Sequence, residues 1–370
     1  MQDFCAILLF ASESFHAEAI RLLTSAKRDF RPVGEPNNPL TTIPPRIPRE
    51  VPGKSFLQDA FFGPAELRAG WRLLIFFAVL AILFLIGILL TRMIANGRVT
   101  RPSFNPLDLL SGEALSFLVV LLASWIMAKM EGRTIADYGL PRRGAFGGRF
   151  WQGIVIGFAS ITALLVSLRV AGVFHFGMIG LHGAAIWEYA ALWGAVLLCV
   201  GFFEEFAVRG YALFTLTTGI GFWPAAIVMS VFFGYLHHSN SGESFVGTFN
   251  AGAVGFLFCL LLRRTGDLWM PIGFHAAWDW GETYFYGVPD SGQVAQGHLF
   301  NAAFSGPTWL TGGTVGPEGS WFCFFLLVLL WFLFATWLRE VKYPNPQAIL
   351  GPRSRSDVTL ADLPPSNIGP

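Results

Sequence analysis

Hydrophobic residues run along this chain in long blocks, and about eight of them approach the roughly 20 residues that a bilayer-spanning helix needs. They cover residues 71–95, 114–130, 151–170, 186–203, 222–237, 245–262, 268–285 and 321–338. The first and last are almost purely apolar, whereas the fourth to seventh carry Glu, Arg, His, Asn and Asp. This pattern predicts an all-α, polytopic membrane protein of about eight transmembrane helices around a polar intramembrane cavity.

The flanks differ from this core. Within residues 1–70, Pro32, Pro36, Pro39, Pro44, Pro45, Pro48 and Pro52 form a linker that cannot hold a helix or a sheet ladder. Ahead of it, Phe15, Ala19, Ile20, Leu23, Ala26 and Phe30 share one helical face, which allows an amphipathic surface helix or a short helix packed on a partner. The expected organisation is a cytoplasmic N-terminal segment over 1–70, a transmembrane bundle over 71–338 and a cytoplasmic disordered tail over 339–370. Nine basic residues up to Arg72, five around the second connection (Lys129, Arg133, Arg142, Arg143, Arg149) and Arg263 with Arg264 put both termini in the cytoplasm. Arg92, Arg98 and Arg101 run against that asymmetry. A multi-pass protein of a bacterial inner membrane is expected.

Composition supports the class: 54% of the 370 residues are hydrophobic and 13% charged, about half the charge of a soluble domain. A net charge of +1 gives no reason to expect nucleic acid as a partner. The four cysteines form no CxxC pair, so neither a disulfide framework nor a thiolate zinc site is expected. Cys199 reads as a packing residue.

Ionisable groups inside apolar spans are costly, about 2.5–3.5 kcal/mol each on the insertion scale, and mark functional sites. Glu204-Glu205-Phe206-Ala207-Val208-Arg209 ends the fourth block; on a helix Glu205 and Arg209 share a face while Glu204 turns about 100° away. Phe233 and His237 close the fifth block, with Gly234 allowing another helix close by. In the seventh block His275 and Asp279 lie one turn apart, and Glu282 continues that face. Convergence on one cavity costs less than three separate burials. Two net negative charges would then need protons, imidazolium groups or a divalent cation to balance them. No HExxH and no GxSxG elbow is present.

The ordered set EExxxR, FxxxH and HxxxD resembles the CAAX prenyl endopeptidase type II and bacteriocin-processing family of intramembrane proteases. Arg209-Gly210-Tyr211 and Arg264-Thr265-Gly266-Asp267-Leu268-Trp269 extend the likeness, which covers about residues 185–285. The resemblance implies that Glu204 is the general base on a water shared with His237, and that Glu205 pairs with Arg209. His275 and the residue at 279 would stabilise the oxyanion. The family's commoner residue at the last position is Asn. An ionised Asp279 cannot donate a hydrogen bond, so it is protonated, an orienter of His275, or a metal ligand. Glu204, His237, His275 and Asp279 are thus either zinc ligands or members of a metal-free glutamate mechanism. The implied substrate is a membrane-associated peptide or protein in contact with the lipid bilayer. The alternative is a non-catalytic membrane scaffold or partner retaining the site geometry. A transporter lacks support from any inverted repeat.

Overall fold

The computed structural model describes residues 67–94, 106–240 and 242–350. Contacts divide the chain at Arg68/Ala69, and the described helices belong to the second unit. The expectations for the Pro-rich linker, the amphipathic helix and residues 351–370 lie outside the described residues.

The elements are α1 (Ala69–Ile94), α2 (Pro106–Met130), α3 (Gly148–Val170), β1 (Phe174–His175), α4 (Ala184–Arg209), α5 (Tyr211–Ile220), α6 (Phe222–His237), α7 (Phe245–Thr265), α8 (Trp269–Trp280), β2 (Ala303–Phe304), α9 (Thr308–Thr311), α10 (Trp321–Trp337) and α11 (Pro346–Leu350). All eight predicted blocks are helical. Among the described residues, five stretches are long and apolar enough to cross a membrane, with α4 and α5 counted together, and α6 and α10 are shorter apolar helices. Two boundaries differ from expectation. Helix α2 starts eight residues before the apolar block, at Pro106, and so takes in Asp108 and Glu113. Helix α8 passes into a π-helical segment, Gly281–Tyr286, whose wider turn carries Glu282.

Helix α8 is the buried centre, packed against α3, α4 and α7. Glycines permit this. A Cβ on Gly157 of α3 would lie 2.2 Å from the Phe274 carbonyl oxygen, and one on Gly273 would lie 2.3 Å from that of Phe150. The two backbones therefore touch, as small residues allow in membrane bundles. The core joins Leu164, Leu168, Phe258, Phe274 and Leu327. Leu74, Leu85 and Met93 on α1 and Phe325 and Phe332 on α10 point outward, where lipid replaces a protein partner.

Contacts between connections define two ends. At one, Arg72 donates to Glu131 (2.9 Å), Leu268 N–H donates to Gly139 O (2.8 Å) and Tyr343 N–H donates to Arg263 O (3.2 Å). At the other, β1 and β2 pair antiparallel, Phe174 opposite Phe304, which ties the third connection to the seventh. Residues 339–350, expected to open a disordered tail, lie against the first end instead. Tyr343 is buried and the Arg263 guanidinium donates to its carbonyl (2.8 Å), a docking that the Pro content of the segment hides.

Candidate functional site

Helix α4 runs unbroken through both glutamates to Arg209. Gly210 then ends it, because a Cβ there would lie 2.3 Å from the Phe206 carbonyl oxygen. Glu205 and Arg209 are fully buried and form an ion pair at 3.1 Å, as the i,i+4 spacing requires. Glu205 has a second task that the spacing does not reveal: its Oε1 accepts from His275 Nδ1 at 2.9 Å. Glu205 therefore fixes both the end of α4 and the imidazole of α8. His275 Nε2 in turn lies 3.7 Å from Glu204 Oε2 and 3.4 Å from Asp279 Oδ2.

Phe233 supports two neighbours. Its ring lies 4.3 Å below the Arg209 guanidinium and 4.4 Å from the His237 imidazole, so it serves as a cation–π platform and as a packing wall. Its carbonyl accepts from His237 Nδ1 at 2.9 Å, which puts a proton on Nδ1, so that the neutral ring would keep its lone pair on Nε2. Gly234 permits the close approach anticipated from sequence: a Cβ there would meet the Thr248 carbonyl oxygen of α7 at 2.7 Å. His238 turns elsewhere, its Nδ1 3.3 Å from Thr248 Oγ1.

Glu204, His237, His275 and Asp279 line one cavity of about 260 Å³. Phe233 lines it too, whereas Glu205 and Arg209 stand behind its wall. Glu113, Glu243, Asp290 and Glu318 also line it, and sequence reasoning missed all four. Glu113 enters on the unpredicted first turns of α2. Asp290 and Glu318 belong to the seventh connection, which folds back into the bundle. Asn250 of α7 fastens it there by donating to the carbonyls of Glu318 (2.7 Å) and Ser320 (3.0 Å). Ser320 then caps α10 by accepting from Cys323 N–H at 3.1 Å. The available signal was that residues 286–320 contain acidic groups but no Lys or Arg. Burial, with Asp290 close by, pushes Glu318 up to about 8. Burial raises Asp290 as well, against the hydroxyl of Thr283, which donates to it at 2.6 Å.

A tetrahedral zinc site needs ligand atoms about 2.0–2.2 Å from one ion, hence within about 4 Å of one another. The four candidates do not meet this. Among the described residues, the group of three or more that brings one ligand atom each within 4.8 Å is Glu282, Asp290 and Glu318. The donor set at Glu204, His237, His275 and Asp279 therefore does not fit a zinc ion as arranged. What the arrangement offers is an acid-rich chamber with the His237 imidazole on one wall and the anchored His275 imidazole on another. Cys199, Cys259 and Cys323 are free thiols.

Residues 186–281 match the model of a family described as type II CAAX prenyl endopeptidase Rce1-like, over about a quarter of the chain. The match supports the family that the three motifs suggest, and a CAAX protease-type function with it. Together with the apolar helices, it makes the protein an integral membrane protein in contact with the bilayer. No curated protein and no solved structure matches the chain.

Proposed function

We propose that this chain is an intramembrane endopeptidase that hydrolyses a peptide bond of a membrane-associated substrate with a water activated by Glu204 and His237. The observation that carries the reading is that these two residues share one cavity with His275 and Asp279, although they come from three different helices. A scissile amide near the bilayer is shielded from water, and the polar chamber supplies room for several waters.

In this reading water donates one hydrogen bond to the His237 Nε2 lone pair and gives its proton to the Glu204 carboxylate as it attacks the carbonyl carbon. The carbonyl becomes an oxyanion, and the imidazole of His275 is its donor. Glu205 holds that imidazole through Nδ1. The donor to the oxyanion is the Nε2–H of a ring protonated on both nitrogens; Asp279 Oδ2, 3.4 Å from Nε2, faces that N–H before the oxyanion takes it and adds no donor of its own. Collapse of the tetrahedral species breaks the C–N bond, and Glu204 returns its proton to the leaving amine. Each proton is accounted for within the chain and the water. By the positive-inside rule, the end at which Arg72, Lys129, Arg133, Arg263 and Arg264 gather would face the cytoplasm.

The test compares wild type with Glu204→Gln in detergent on quenched-fluorescent membrane peptides, prenylated and unprenylated CAAX peptides among them. Turnover should fall about 10²- to 10⁴-fold in the variant. Cleavage that survives the substitution would sink the assignment, and a wild type inert on every peptide would favour the non-catalytic scaffold. Treating both proteins with a chelator and restoring zinc decides whether zinc contributes.

A further inference from the structure

Glu282, Asp290 and Glu318 are not used by the mechanism above. They come from the π-helical turn after α8, from the start of the seventh connection and from its end, yet one carboxylate oxygen of each lies within 4.8 Å of the others. An acidic cluster alone often repels and stays empty. Here one member is in a position that repulsion by itself does not explain. Glu282 is completely buried, with the Trp278 indole beside it but no hydrogen bond of normal length to either oxygen. The nearest indole donor, Trp278 Nε1, goes to Glu318 Oε1 at 3.1 Å. A buried carboxylate with no donor costs several kcal/mol unless a proton or a cation meets it.

The connection that carries two of the three acids brings no Lys or Arg, and its His298 is held elsewhere by Ala295 O and Asn301 Oδ1. Arg209, the buried cation of the bundle's motif cluster, is already committed to Glu205. The other two carboxylates are held as an ion site requires: the Thr283 hydroxyl donates to Asp290 Oδ2 at 2.6 Å and Trp278 donates to Glu318, so each is oriented while keeping oxygens free. The donors are all oxygen, with no imidazole or thiolate among them, which selects a hard cation over zinc or copper.

We infer that Glu282, Asp290 and Glu318 form a binding site for a hard divalent cation, of the calcium or magnesium class, that ties the end of α8 to the seventh connection. Asp290 and Glu318 line the same cavity as Glu204 and His275, but the three ligands are other residues than those of the motif cluster, and their occupancy does not depend on whether the chain cleaves peptides. A bound ion would fix the helix that carries His275 and Asp279 from its far end.

The experiment strips the full-length protein in detergent with a chelator, then adds calcium alone, magnesium alone or manganese alone, and reads bound metal per chain together with the thermal unfolding midpoint. Wild type and Glu204→Gln should each retain one equivalent of the preferred ion and unfold at a higher temperature with it. Asp290→Asn and Glu318→Gln should bind about 10- to 100-fold more weakly and lose the shift. Their own unfolding transitions in chelator verify that they fold, and the wild-type stoichiometry stands without them. Absence of both retention and shift in wild type with all three ions overturns the site, leaving the carboxylates to share protons. Retention by Asp290→Asn and Glu318→Gln, or loss confined to Glu204→Gln, overturns it too, the latter by moving the ion to the motif cluster. Because no readout is cleavage, failure here leaves the protease reading untouched.

Discussion

Two acid clusters share this bundle, and they are balanced in opposite ways. Around Glu205 each charge has a partner built into a helix: Arg209 one turn away, His275 across from it, and the Phe233 ring beneath the guanidinium. Around Glu282 there are three carboxylates and two neutral donors, Thr283 and Trp278. The first cluster pairs its charges from the chain alone, although Glu205 Oε2 and Arg209 Nε and Nη2 are left without a hydrogen bond. The second holds no cation of its own among these residues, so its carboxylates are left to protons or to an ion. The difference suggests that a buried network in an apolar bundle can be closed either by residues one turn apart on a helix or by something taken from solution.

That contrast can be broken from the first side. Arg209→Met removes the cation and leaves Glu205 buried and unpaired; the expected loss is about 3–5 kcal/mol of stability, read as a lower unfolding midpoint in detergent, with turnover lost as well. Glu205→Gln keeps the shape but weakens two charge-assisted hydrogen bonds. About 1.5–3 kcal/mol should be lost, with turnover falling more than substrate affinity because His275 loses its anchor; an unchanged turnover at full stability would show that the anchor is dispensable. Acting on the second cluster should reverse the sign. In chelator, Glu282→Gln is expected to stabilise by about 1–2 kcal/mol, since it removes an uncompensated buried charge, and the same substitution in the presence of the preferred ion should no longer do so. The smallest effect is expected for Phe233→Leu, which retains packing but gives up the cation–π contact at a cost of about 1 kcal/mol, measurable by thermal unfolding.

The balanced cluster was legible in the sequence and the other was not. EExxxR, FxxxH and HxxxD are each written within one helix, so helical spacing alone put Glu205 with Arg209 and His275 with Asp279. Spacing could not show that Glu205 reaches across to His275, a contact between residues 70 positions apart. Nor could it place Glu113, because the apolar block begins after it while α2 begins at Pro106. Asp290 and Glu318 were hidden by the habit of reading a connection as surface. Asn250 pulls this one inward through two backbone carbonyls, and no local pattern marks that. The eight helical blocks followed from hydrophobicity, while the π-helical turn at Gly281–Tyr286 did not, since its wider winding leaves the same apolar composition.

The unequal lengths of the helices bear on the lipid around them. At about 1.5 Å per residue, α1 and α2 rise about 39 and 37 Å, whereas α6 and α10 rise about 24 and 26 Å. A hydrocarbon layer is about 30 Å thick. Both short helices pack on α7, so the side that they form presents a lower apolar belt than α1 and α2 do. Mismatch of this kind is met by a thinner bilayer or by a second copy packed there, at fractions of a kcal/mol per Å. His237 sits at the end of α6, so a bilayer thinned along that side would bring its water-rich headgroup layer nearer the chamber.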